Sequence, residues 1–138
     1  MKKLPLPLLL LFLLMGCENE SDDTDISLPN YTIEGRWLYD VGANMPSTMY
    51  EFIDGTRYTY YAASNDFSVA FWESLTVSDA IPGTNNYTFE NEMLSIDLNF
   101  GNNQVFPLIF ECNGGRVNFQ DPDYPERYDW VRLGADCN

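Results

Sequence analysis

Histidine is absent from the 138 residues, and lysine occurs only as Lys2 and Lys3. The first absence removes Ser-His-Asp and Cys-His catalysis and the commonest side-chain ligand of transition metals. The second leaves no lysine for acid–base work beyond residue 3. Positive charge is scarce altogether: 7 Lys and Arg stand against 21 Asp and Glu, for a net charge of −14. Such acidity favours solubility and argues against a nucleic-acid partner, but does not bear on the fold. Long apolar runs are also missing. The longest, Leu4–Met15, has roughly a dozen residues, short of the about 20 that cross a bilayer. Carboxylates such as Asp121 and Asp123 stand in no motif for acid–base chemistry. The loop they share, Asp121–Glu126 (DPDYPE), matches no calcium-loop spacing and reads as a solvated turn. The chain is expected to be no enzyme and to carry no metal or cofactor.

What is present begins with an address. Residues 1–16, MKKLPLPLLLLFLLMG, have the positive start and short apolar centre of a secretory signal. The segment ends in Leu-Met-Gly-Cys, which resembles the lipobox of bacterial lipoproteins, with Met15 a less usual choice. That resemblance implies cleavage after Gly16 and acylation of Cys17. Each buried CH₂ contributes about 0.8 kcal/mol, so several acyl chains hold a protein on a membrane. Glu18 follows the cysteine, where aspartate would signal inner-membrane retention, so outer-membrane delivery is expected. Residues 17–30 start ENESDDTDI after the cysteine, an acidic, polar tether with no core-forming pattern. Ser21-Asp22-Asp23 resembles a short surface-export signal, which favours the cell surface over a periplasm-facing position.

Of the 3 cysteines, Cys112 and Cys137 remain. Export permits their oxidation. A bridge would close a loop of about 25 residues and contribute roughly 3 kcal/mol. The other reading is two unpaired thiols, one in the core and one on the tail.

Residues 31–138 suffice for one domain with one core. The aromatic share of 15% and the short alternating segments point to β structure. Ile33–Asp40 is the first strand, with Ile33, Gly35, Trp37 and Tyr39 on one face. Gly35, two residues before Trp37, leaves a gap on the indole's own face that another group can enter. Ser47–Ile53 and Thr56–Ala63 flank Asp54-Gly55, a strong hairpin signal. Phe67–Val77 carries both a helical and an alternating pattern, and its β-branched and aromatic content favours a strand. Tyr87 and Phe89 alternate before a turn at Glu90-Asn91-Glu92, and Leu94, Ile96, Leu98 and Phe100 share one face after it. Gln104–Cys112 contains Pro107 and reads as an edge or bulged strand. Arg116–Gln120 and Arg127–Leu133 complete eight or nine short strands. Such an antiparallel up-and-down meander removes its edges by rolling shut.

The order Gly35-x-Trp37, Glu51-Phe52-x-Asp54-Gly55-Thr56, the Tyr87–Leu98 hairpin and Tyr128-x-Trp130-Val131-Arg132-Leu133 resembles the small lipocalin-like domain of Gram-negative lipoproteins. The resemblance covers nearly the whole chain after the tether. It implies an all-β barrel of about eight strands holding a small apolar or amphipathic molecule. It also implies that Trp37 closes one end, with Arg132 packed across the indole in a structural cation–π contact. The domain is short for a lipocalin and has no evident C-terminal helix. A barrel of eight strands is narrow enough for side chains to fill. Two interiors therefore stay open, a cavity or a packed core. A cavity would have Tyr58, Tyr60, Phe71, Trp72 and Trp130 as candidate walls, although each also reads as ordinary core. A filled barrel would instead suit an interaction module that docks a protein or glycan.

Overall fold

The computed structural model describes residues 31–40, 46–119 and 129–137. The leader, Cys17, the tether and the Asp121–Glu126 loop lie outside the described residues. The architecture is all-β: eight antiparallel strands, each beside its sequence neighbour, with the last returning to the first to close a barrel. The strands are β1 (Gly35–Asp40), β2 (Thr48–Ile53), β3 (Thr56–Tyr61) and β4 (Asn85–Glu90). They continue as β5 (Met93–Asp97), β6 (Asn103–Glu111), β7 (Arg116–Phe119) and β8 (Asp129–Arg132). Closure comes from the β1–β8 ladder, in which Trp37 stands opposite Arg132 and Tyr39 opposite Trp130.

Alternation along each strand supplies the interior. Trp37, Phe52, Leu94, Ile96, Leu108, Val117, Phe119 and Trp130 are buried in one cluster inside the wall. Trp130 lies 4.3 Å from the Phe119 ring and 5.6 Å from Phe52, centroid to centroid. Among the described residues the lumen is thus a packed aromatic and aliphatic core. Asp54-Gly55 makes the β2–β3 hairpin with both residues left-handed (φ 48° and 77°), as a two-residue turn requires. Arg57 faces inward on β3, 5.1 Å over the Tyr50 ring, with its Nη2 donating to Asn85. Burial lowers its pKa from the ordinary arginine value.

Three expectations are corrected. Phe67–Val77 is no strand. It forms helix α1 (Val69–Ser74) followed by a 3-10 turn at Val77–Asp79. The Ser68 hydroxyl caps the helix by accepting the Phe71 N–H at 3.2 Å, and Thr76 with Asp79 forms a capping box on the turn. These caps, with the burial of Trp72, outweigh the β-propensity of the segment. Second, Leu98 and Phe100 do not continue the buried face of β5. Leu98 is 42% exposed and Phe100 fully so. The Asp97 carboxylate accepts the Asn99 N–H at 2.7 Å, and Asn99 and Phe100 are both left-handed, so the chain turns before Leu98 can face inward. Third, the strand that holds Pro107 is no edge strand, since β6 lies between β5 and β7 in the closed barrel. Pro107 sits where β6 passes from β5, through the Met93–Pro107 rung, to β7, through the Leu108–Phe119 rung. A residue without an N–H is tolerated at that handover.

α1 creates a second core on the outside of the barrel. Met49, Tyr60 and Trp72 are completely buried there, with Leu38, Tyr58, Phe67, Phe71, Leu75 and Leu133 packed around them. Arg36 fixes the helix to the wall. Its Nε pairs with Glu51 at 2.8 Å. Its two terminal nitrogens donate to the carbonyls of Trp72 (3.2 Å), Glu73 (3.3 Å) and Leu75 (2.9 Å). A cation at these last carbonyls satisfies acceptors that a helix end otherwise leaves open. The Tyr60 hydroxyl donates to the other Glu51 oxygen. Burial, then that bond, pushes the Tyr60 phenol well above its ordinary pKa.

Trp72→Ala should remove the centre of this outer core and cost about 3–5 kcal/mol. Val69→Ala, at a half-exposed site on the same helix, should change stability by less than about 0.5 kcal/mol. Denaturant unfolding of both variants checks the contrast.

Candidate functional site at the capped end of the barrel

One end of the barrel gathers the β2–β3, β4–β5 and β6–β7 turns, the entry to β1 and the exit from β8. Residues 31–34 run across it as a strap. Arg132 organises this end. Its Cζ lies 4.3 Å from the Trp37 ring centroid. Its Nη1 donates to the Glu34 carbonyl (2.7 Å), Nη2 to the Thr32 carbonyl (2.8 Å) and Nε to the Gly114 carbonyl (3.2 Å). Burial lowers its pKa from the ordinary arginine value. The indole completes the fastening, since Trp37 Nε1 donates to the Ile33 carbonyl at 2.6 Å. The gap left by Gly35 is where the guanidinium passes. A Cβ at Gly35 would stand 2.8 Å from Arg132 Nη1, and its φ of +111° is itself unsuited to a side chain.

The strap and the turns lock together around it. Tyr31 stacks on Phe110 at 5.5 Å. A Cβ at Gly114 would come within 2.5 Å of the Tyr31 ring, so the β6–β7 turn meets the strap by having no side chain there. The Tyr87 hydroxyl donates to the Glu34 carboxylate, and burial followed by that bond pushes its pKa above the ordinary phenol value. Cys112 and Cys137 form a disulfide with Cα atoms 5.8 Å apart. It ties the same turn to the tail beyond β8. A Cβ at Gly115 would meet Cys137 Sγ at 2.8 Å, and Arg116 Nη2 donates to the Cys137 carbonyl at 2.8 Å.

Beside this plug lies a cleft of about 530 Å³, lined by Tyr31, Thr32, Phe89, Glu90, Asn91, Glu92 and Phe110. Three of its lining residues are aromatic and touch one another: Phe110 meets Tyr31 by stacking and Phe89 edge-on at 5.9 Å. Its rim is the β4–β5 turn, where Asn91 and Glu92 are both left-handed (φ 51° and 61°). No group of metal-binding residues occurs among the described residues.

The five candidate pocket walls do not come together. Tyr58, Tyr60, Phe71 and Trp72 belong to the outer core under α1, while Trp130 lies in the lumen. None of them lines the cleft. The cleft residues escaped notice because they come from a hairpin, a long strand and the residues ahead of β1. Their signal was the placement of Phe89 and Phe110 close to two turns at one end of the meander. Comparison with known proteins finds no matching family model, no matching curated protein and no matching solved structure.

Arg132→Ala should cost on the order of 2–4 kcal/mol, since three carbonyls and the indole lose one shared partner. Arg132→Lys should recover less than half of that, because an ammonium cannot reproduce the planar fork. Denaturant midpoints of the two variants provide the comparison. Equal stability of the lysine variant and the parent would contradict the role given to the guanidinium.

Proposed function

We propose that the chain is a lipid-anchored outer-membrane lipoprotein of lipocalin-like kind, and that it works as a non-enzymatic binding module for a small amphipathic molecule. The observation that carries the binding half is the 530 Å³ cleft lined by three aromatic and four polar residues. That volume falls within the range of about 300–1,000 Å³ usual for small-ligand sites. The packed lumen moves the expected site from the inside of the barrel to its capped end. The anchoring half rests on the leader and on the Leu-Met-Gly-Cys sequence before the tether. In this reading Cys17 carries the acyl chains, and Ser21-Asp22-Asp23 favours the outer surface.

A second reading is favoured by the packed lumen itself. A solid barrel can act as a rigid display for loops that dock a protein or glycan. Fully exposed Phe100 at the opposite end is the kind of side chain such a contact would use.

Metabolic palmitate labelling and native mass spectrometry test the two halves together. The parent chain should incorporate label, fractionate with outer membranes and carry reproducible small-molecule adducts. Cys17→Ser should lose both the label and the membrane association. A parent without label would overturn the anchor, and a labelled parent without adducts would favour the docking reading.

A further inference from the structure

The cleft carries information about the charge of its occupant. Among the described residues that line it, three are aromatic, Tyr31, Phe89 and Phe110, two are acidic, Glu90 and Glu92, and none is an arginine. The described arginines are committed elsewhere. Arg36 pairs with Glu51, Arg57 with Asn85, Arg116 with the Cys137 carbonyl and Arg132 with the strap and turn carbonyls. None of these neutralises the rim. The whole chain, at −14, further attracts cations and repels anions.

We propose that this cleft is a site for an organic cation with an apolar body, a quaternary or protonated amine that contacts the Tyr31, Phe89 and Phe110 rings and whose charge is favoured by the neighbouring Glu90 and Glu92. The proposal rests on the reading of the capped end as a binding site and names the chemical class it takes. Aromatic faces attract such a cation through their quadrupoles, most strongly where water is displaced. An anion would meet two like charges and an acidic protein. A neutral apolar molecule would draw nothing from the acidic field around the cleft. A bare divalent ion would find rings where it needs a cage of oxygens, in a space several times too large.

Isothermal titration of the full lipidated chain in nanodiscs tests this with three matched probes: benzyltrimethylammonium, benzyl alcohol and phenylacetate. The cation should bind saturably at one site, about tenfold more tightly than the alcohol, and phenylacetate should not bind. The double variant Glu90→Gln, Glu92→Gln alters exposed side chains and should keep the parent melting temperature. It should weaken the cation roughly five- to tenfold and leave the alcohol unchanged. If the alcohol or phenylacetate binds as well as the cation, the site stands and its assigned chemistry fails. If the cation binds equally to parent and double variant, the cleft is not its site. If no probe binds, the cation class and the reading of the cleft as a binding site both fail.

Discussion

The barrel depends on one guanidinium. Arg132 ends the last strand, lies against the indole of the first strand, and donates to carbonyls of the strap and of the β6–β7 turn. A planar cation with several fixed donors can serve these partners at once, which no other side chain does. Without it, three carbonyls at a crowded end would need other donors. Gly35 and Gly114 follow from the same constraint. The first gives the guanidinium its passage and the second lets the strap ring press on the turn. The disulfide, anchored at Cys112 two residues before the turn's glycine pair, holds the tail in place behind it.

A second arginine does the corresponding work outside. Arg36 is on the opposite face of β1 from Trp37, and it binds the end of α1 while pairing with Glu51. The two faces of β1 therefore serve two cores, one within the barrel and one beneath the helix. This accounts for the aromatic content of so short a domain. The rings that a cavity would need for walls are used to fill the lumen and to seat α1. The cleft lies at the edge of the structure, where the strap passes the β4–β5 turn.

Much of this architecture was legible in the sequence. Alternation marked the strands, Asp54-Gly55 fixed one hairpin, and a meander of short strands, which removes its edges by rolling shut, implied closure. The gap beside Trp37 could also be inferred from Gly35, because a missing side chain on a strand face implies a close neighbour. α1 was harder to see. Its segment satisfies two periodicities, and the choice between them is made by Ser68, Thr76 and Asp79 at its ends and by a wall against which Trp72 is buried. Leu98 and Phe100 misled for a related reason: alternation continued past Asp97, whose side chain had already turned the backbone. The cleft left only a faint trace, Phe89 and Phe110 each close to a turn at the same end of the meander. Its residues are distant in sequence, and only barrel closure brings Tyr31, Phe89 and Phe110 to one place.

The claim on which these consequences rest is that the Arg132 guanidinium is held rigidly between the indole and the three carbonyls. Side-chain NMR of the arginine-labelled protein addresses it most directly. The account predicts Nε–H and Nη–H signals for Arg132 that are resolved, slow to exchange with solvent and displaced by the Trp37 ring. A freely rotating, rapidly exchanging guanidinium with the shifts of an exposed arginine would contradict it.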